Sequence, residues 1–381
     1  MKIVLISRHL PPRIDAVGDY TYRLAHTLAQ VNVQTVLVTS KGFVTTAEDL
    51  RVDIKPIVQN WGCFGVWNLA NTLRTWEIDA VNFQFVPHMY SRFGINLAIA
   101  MCPFLLRIRL KKPVMTTCHE LLSHKPVGVS GWLLQSAYLL QAWLILLGSS
   151  RLTVPAAWQE RLLRRYFPCL SQKIVRIPVG ANILPKNFSP NTQKGIVTLG
   201  TFGSGHPWWQ YEMAMAILKG LRILKIPARL LCIGNVEGSN PEYYQRLRQR
   251  EIALGLSGFI EWTGYCSVEE VSRRLRAVDI FLALQKSGIT SRSTALMAAM
   301  AHGLPIVATR GPDADEELLE SGSLCIIDPL DLSEAVETVA QLALNSVEQK
   351  ELGRRAELFY QERFSWEKIR DLFLDAVKST Q

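Results

Sequence analysis

Residues Leu282–Thr309, LALQKSGITSRSTALMAAMAHGLPIVAT, hold the pattern that decides the fold. Together with the two residues before it, the apolar run Ile280–Leu284 (IFLAL) has the length of a buried strand. A polar turn follows, Gln285–Thr294, containing Gly288 and rich in hydroxyl side chains. Ala295–His302 consists of good helix formers and stops at Gly303, with Pro305 just beyond. Ile306–Thr309 reads as the next strand. Strand, turn, helix and strand make a βαβ unit. Its turn lies at the carboxyl end of a strand and the amino end of a helix, where open α/β sheets take ligands. Unpaired N–H groups and the helix dipole favour an anion there. Arg292 adds a full positive charge, and Thr290, Ser291, Ser293 and Thr294 add hydroxyls. The spacing points to a phosphate site, although an ordinary capped helix carrying a surface arginine fits the same letters.

Outward from this unit the pattern repeats. Lys2–Ser7 is a buried strand, Tyr20–Gln30 a helix with one apolar stripe, and Val33–Ser40 a second strand, so the chain opens as a parallel sheet. Ile78–Phe85, Pro113–Glu120, Arg151–Ala156 and Lys173–Ile183 read as further strands of that sheet. Phe93–Leu110, Trp132–Leu147 and Ala157–Tyr166 read as helices. Pro185–Lys194, polar and with two prolines, reads as a linker. Beyond it come the strands GIVTLGTF, ARLLCIGN, IEWTGYC, IFLAL, IVAT and SLCIID, separated by helices. One of these, Val268–Ala277, opens on a capping box of Ser267 and Glu270. The first loop lacks G-x-G-x-x-G, and Gly200–Gly205 (GTFGSG) has the wrong spacing for that dinucleotide fingerprint. The reading is an α/β chain of two Rossmann-like domains facing each other across a cleft. Residues 1–184 form the first domain, joined by the C-terminal segment 364–381, and residues 190–363 form the second.

Bulk composition agrees with a large core. The 381 residues are 48% hydrophobic and 20% charged, which argues against disorder. Charge is uneven: residues 1–189 hold 21 Lys and Arg against 9 Asp and Glu, and residues 190–381 hold 21 against 24. A basic first half suits an anionic partner surface. No nucleic-acid reader motif accompanies it. Seven cysteines without a Cys-x-x-Cys read as reduced thiols in a cytoplasmic protein rather than a disulfide frame or zinc site. The opening apolar run is too short for a signal peptide. Trp132–Leu147 is apolar on nearly every face yet shorter than a bilayer span. It fits a core helix, or a contact lying on an anionic membrane surface with nearby Lys and Arg on the headgroups.

Taken together and in order, several stretches resemble the retaining GT-B glycosyltransferases of family 4, also called group 1. They are PPR…GDYTYRLAHTLAQ, TTCHE, IPVGANI, LGTFGSGHP, IEWTGYCSVEEVSRRLRAVDIFLAL, ALMAAMAHGLPIVAT and RFSWEKI. The resemblance runs over nearly the whole chain. It implies sugar transfer from a nucleotide-sugar donor to an acceptor (a glycan, a lipid-linked or a small molecule) with retention, no cofactor and no metal. The chain departs from the family where the donor binds. The family's two glutamates, eight positions apart, fall on Thr290 and Ala298. Its diphosphate-binding Arg and Lys fall on Thr201 and His206. Either Arg292, flanked by Ser291 and Ser293 and aided by His206, replaces those groups, or the chain is a catalytically inactive nucleotide- or glycan-binding scaffold.

The resemblance also assigns roles. His119 corresponds to a histidine that touches the donor sugar, with Glu120 beside it as a group that orients it or meets the acceptor. Gly18 and Asp19 fall in a first loop whose backbone N–H groups approach the phosphates. Tyr265, after Thr263-Gly264, marks the place where backbone binds the nucleobase. Asp313 and Asp315 lie in the loop after Ile306–Thr309, where solvated acids are the plain reading.

Overall fold

The computed structural model describes residues 1–13, 15–42, 52–120, 128–186 and 195–380. The chain divides into two compact units, Met1–Pro178 with Trp366–Gln381, and Val179–Ser365.

Unit 1 is built on a seven-stranded parallel sheet. Its strands are β1 (Lys2–Ile6), β2 (Gln34–Ser40), β3 (Val52–Val58), β4 (Ala80–Phe85), β5 (Val114–Cys118), β6 (Arg151–Val154) and β7 (Ile174–Arg176). Their order is β3-β2-β1-β4-β5-β6-β7. Unit 2 carries β8 (Val197–Phe202), β9 (Ala228–Ile233), β10 (Ile260–Trp262), β11 (Ile280–Ala283), β12 (Ile306–Thr309) and β13 (Cys325–Ile327), in the order β10-β9-β8-β11-β12-β13 and again all parallel. In both sheets the strand order reverses beside the first strand, between β1 and β4 and between β8 and β11. Crevices at the carboxyl ends of strands open at such points.

The burial of β1 and β5 explains their apolar or small-residue runs, and β4, buried throughout, carries Asn82 and Gln84 among apolar residues. β3 was not legible from sequence. It is an edge strand, VDIKPIV, whose exposed Asp53 and internal Pro56 break the apolar signal, as edge strands commonly do. The helix Cys63–Arg74 that follows it was missed as well. The single helix read over Phe93–Leu110 is two pieces, Leu97–Ala100 and Cys102–Leu110, with Pro103 in the first turn of the second. Lys173–Ile183 is a strand only over β7.

The boundary between units falls earlier than the sequence placed it. Val179 donates its N–H to the Ser291 carbonyl (3.0 Å). Ala181 donates to the Tyr360 hydroxyl (3.4 Å) and Lys186 to Ser272 Oγ (3.2 Å). Residues from Val179 onward are therefore bonded into unit 2. At the other end Phe364 and Ser365 stay with unit 2, and the segment belonging to unit 1 begins at Trp366 as the helix Trp366–Lys378. Most of the linker read at 185–194 lies outside the described residues.

Candidate functional site

In unit 2 the loops at the carboxyl ends of five strands are fastened side by side by main chain. The loop after β8 joins the turn after β11: Lys286 donates its N–H to the Trp208 carbonyl (3.1 Å), Gln210 donates to the Leu284 carbonyl (3.1 Å), and Trp209 bridges Gln285. β12 closes on the same turn through Thr309, whose hydroxyl accepts from the Gln285 N–H (2.8 Å) and donates to its carbonyl (2.7 Å). The loops after β9 and β10 meet at a bridge between Gly234 and Gly264. Gly234 has φ +119°, and a Cβ there would stand 2.3 Å from the Gly203 carbonyl oxygen, so only glycine fits.

Within this frame the β11 turn is well determined. Ser293 caps the helix Thr294–Ala301, accepting from the Leu296 N–H (3.3 Å) while the Gln285 amide donates to it (3.1 Å). The helix is buried from Ala295 to Ala301 and apolar all round. Ser291 donates both its N–H (2.7 Å) and its hydroxyl (2.5 Å) to the Asp315 carboxylate, which has no exposure. These bonds correct two readings. Asp315 is a buried acid that fixes the turn, not a solvated loop residue. The Ser291 and Ser293 hydroxyls are engaged in holding the turn. Thr290 is buried and Thr294 half-buried at the start of the helix. Asp313, half-buried, donates its N–H to the Ser287 carbonyl.

Arg292 stands apart. It is half-buried at the amino end of the helix, and its side chain makes no hydrogen bond or ion pair among the described residues. Other arginines of unit 2 pair closely: Arg273 and Arg274 both bind Glu270. That use of the Glu270 carboxylate gives it other partners than the expected capping box; Ser267 still caps its helix by accepting from the Glu270 N–H. Two cations that the sequence reading passed over, Lys286 and Arg310, are exposed just beyond the ends of β11 and β12. Their position immediately after an apolar strand was the available signal. His206 is exposed, stacks edge-on with Trp208 (4.5 Å) and accepts from the Trp208 N–H (3.3 Å). Tyr265 is exposed beyond Gly264.

In unit 1, His119 follows β5 and is aimed by a buried chain of side chains. Alternate residues of a strand share a face, so Asn82 and Gln84 line one side of β4. Gln84 Nε2 donates to Asn82 Oδ1 (2.5 Å) and Asn82 Nδ2 donates to Thr117 Oγ1 (2.9 Å), which also accepts from Thr153 (2.9 Å). That orientation leaves Gln84 Oε1 facing His119 Nε2 at 2.7 Å. The histidine is then the donor, with a proton on Nε2. The ring packs edge-on against Tyr20 (4.9 Å), and Tyr20 against Trp366 (5.4 Å) of the returning helix. Gln84 and Asn82 were invisible in the sequence because a polar pair inside an apolar strand has no local signature. Glu120 is half-buried at the end of the described segment.

Gly18 and Asp19 are corrected. They lie not in a loop but in the first turn of the helix Ala16–Ala29, where Asp15 caps the helix by accepting the Gly18 N–H (2.7 Å). A Cβ on Gly18 would sit 2.9 Å from the His9 carbonyl oxygen, so packing demands glycine. Burial pushes the Asp19 carboxyl up to about 6, against the opposing pull of Arg23. A cleft of about 850 Å³ opens in unit 1 beside Lys2, Gln34 and Asp79, at the amino edge of the sheet and away from these groups. Among the described residues no three His, Cys, Asp or Glu side chains gather to hold a metal ion.

Two units of this topology define the GT-B architecture. Residues 17–183 match the Glycosyltransferase Family 4 model and residues 193–345 the Glycosyl transferases group 1 model. The chain belongs to the group 1, family 4 glycosyltransferases. Solved structures share the fold over the full length. HepE of Anabaena, solved with UDP and glucose, is 14% identical with a TM-score of 0.69, covering 100% of both chains. Sucrose-phosphate synthase of Thermosynechococcus elongatus is 16% identical with a TM-score of 0.73, covering 99% of this chain and 98% of that one. WaaG, a glycosyltransferase involved in lipopolysaccharide biosynthesis, is 13% identical with a TM-score of 0.64, covering 98% and 99%. No curated protein matches the sequence.

Proposed function

We propose that the protein moves a sugar from a nucleotide-sugar donor to a glycan, lipid-linked or small-molecule acceptor with retention, and that the donor diphosphate binds at the β11 turn. The observation that carries this reading is Arg292: a half-buried guanidinium without a described partner, at the amino end of a capped, buried helix. Leaving a nucleotide diphosphate requires stabilisation of charge developing on phosphate oxygens, which preorganised cations and N–H groups supply. Arg292 offers a planar fork of donors to phosphate, with Lys286, Arg310 and His206 on loops fastened to the same frame. Tyr265 and Gly264 would border the nucleobase. His119, its tautomer fixed by Gln84, would meet a hydroxyl of the transferred sugar. Losing two carboxylates at Thr290 and Ala298 also lowers the positive charge that the site needs.

The competing reading is an inactive nucleotide- or glycan-binding scaffold. What favours it is that Ser291, Ser293 and the Gly18 N–H are engaged internally. A thermal-shift screen of UDP-, GDP- and ADP-sugars, followed by assay of donor hydrolysis and transfer, separates the two. A matching donor at a hundredfold excess over Kd adds ~2.7 kcal/mol of stability. Stabilisation with turnover supports the transferase, stabilisation without turnover a nucleotide-binding scaffold, and neither shift nor hydrolysis with any donor rejects the transferase.

A further inference from the structure

We propose that unit 1 carries a docking face for a lipid bilayer rich in anionic headgroups, formed by the outer sides of four neighbouring helices. This inference is independent of the donor chemistry. The inner sides of these helices cover the sheet face bearing Phe83 and Phe85. Their outer sides are apolar as well. Helices Leu97–Ala100 and Cys102–Leu110 run nearly end to end, and Leu97, Met101, Phe104 and Ile108 recur along them at intervals of four, three and four. That spacing marks a buried stripe in a soluble helix, yet all four are exposed, while Ile99, Ala100, Cys102 and Leu106 are buried on the other side.

The helix Gly128–Gly148 repeats the arrangement. Leu133 (70% exposed), Leu140, Trp143 and Leu147 form its outer stripe, and Tyr138, Ala142, Ile145 and Leu146 its inner one. The two stripes adjoin, because a Cβ on Gly148 would stand 2.5 Å from the Phe104 backbone nitrogen. On the far side, Arg109 lies over the Trp67 ring at 3.9 Å, linking Cys63–Arg74 with its exposed Phe64 (82%). Contiguous apolar surface across four helices is not ordinary solvent-facing surface.

Charge selects the occupant. No Asp or Glu occurs in residues 63–74, 97–112 or 128–148, and between Asp79 and Glu160 the only acid is Glu120. Arg74, Arg107, Arg109, Lys111 and Lys112 cluster at the ends of two of the helices. A second copy seated by two-fold symmetry would press this cationic rim against itself. An anionic lipid surface complements it, and the arginine stems can lie along the apolar surface with their heads at the headgroups.

The helix Gly128–Gly148 is long and apolar enough to cross a membrane by composition alone, but its inner side is bonded into the fold. Gln141 accepts from the Asn96 N–H (2.7 Å) and donates to the Gly94 carbonyl (2.9 Å), and Tyr138 donates to the Phe93 carbonyl (3.0 Å). Lys173 donates to the carbonyls of Leu146, Leu147 and Ser149 at its carboxyl end. The helix therefore lies along the bilayer surface.

Cosedimentation of the full chain with phosphatidylcholine vesicles, with and without phosphatidylglycerol, tests this at low and high salt. Binding is expected only with phosphatidylglycerol and is weakened by salt, with a blue shift of tryptophan emission as Trp143 enters the interface. Arg107→Glu and Arg109→Glu should weaken binding at least fivefold each, the equivalent of ~1 kcal/mol per cation removed. Leu133→Glu and Ile108→Glu should abolish it with the melting temperature unchanged, since both side chains are exposed. Three results would overturn the proposal: no binding to phosphatidylglycerol vesicles at low salt, undiminished binding by both Glu variants, or a solution dimer that Leu133→Glu dissociates.

Discussion

The two units share one topology but aim their candidate site residues by different means. In unit 1 the positioning is done by side chains inside the sheet: Asn82, Gln84, Thr117 and Thr153 form a buried polar chain that ends on His119. The strands of unit 2 bury no polar side chain but threonine, and the loops are fastened mainly by main-chain bonds, with the Thr309 hydroxyl, the Gln285 amide on Ser293 and one buried acid, Asp315, added to them. A site framed by main chain tolerates exchange of its side chains. A site framed by side chains has no such latitude.

The sharpest test of that difference is at Arg292, the side chain proposed to meet the diphosphate. Arg292→Ala should reduce transfer on the order of a hundredfold or more while the melting temperature hardly moves, because its guanidinium holds no described partner. A loss of both together would mean that Arg292 is part of the frame. Next in size is Asp315→Ala, which strips the Ser291 N–H and hydroxyl of a charged acceptor. Each such bond is worth ~1.5–3 kcal/mol, so denaturant unfolding should show a loss of at least that. Gln84→Leu should cost ~1–3 kcal/mol by leaving buried polar groups unsatisfied and should also lower turnover, as His119 loses its fixed tautomer. A stable but slow Gln84→Leu enzyme would confirm a positioning role; an active one would break the comparison.

Packing glycines give a similar pair. Gly353→Ala in unit 2 would put a Cβ 2.1 Å from the Gly303 carbonyl oxygen, and Gly148→Ala in unit 1 would put one 2.5 Å from the Phe104 nitrogen. Overpacking of this kind costs ~1–3 kcal/mol, and the tighter contact at Gly353 should give the larger drop in melting temperature.

The smallest effect is on pH dependence, where the units oppose each other. Burial raises Asp19 from 3.8 to about 6 in the folded chain. Across that window the folded state holds a proton that the unfolded state has lost, so stability from this group falls as pH rises. Burial lowers His302 from 6.5 to about 4, partly countered by the bond of its Nδ1–H to the Ala298 carbonyl (2.7 Å). Here the unfolded state holds the extra proton, so stability rises with pH over the same interval. Relative to the parent chain, Asp19→Asn should therefore shift the slope of melting temperature against pH upward between pH 4 and 6, and His302→Gln should shift it downward.

Much of this architecture was readable in the letters. The βαβ unit at Ile280–Thr309 was legible because short apolar runs, a hydroxyl-rich turn and a glycine stop are local signals. β3 was not, since an edge strand carries charge and proline. The boundary at Val179 depends on bonds to Ser291, Tyr360 and Ser272, each distant in sequence. Arg292 was identified at the turn, but the engagement of Ser291 with Asp315 and of Gly18 with Asp15 was not, because a hydroxyl that binds phosphate and one that binds a neighbouring acid are spelled alike. Gln84, on the strand beside the one that ends at His119 but distant from it in sequence, shows the same limit.

The return of Trp366–Lys378 to unit 1 has a consequence for the order of folding during synthesis. Unit 2 is one continuous segment and is complete once Ser365 has left the ribosome. Unit 1, although its strands precede those of unit 2, lacks the helix that covers Tyr20 until Trp366–Lys378 emerges. The domain made first is the one finished last, and its nascent form leaves the His119 side of the sheet partly uncovered while the whole of unit 2 is translated.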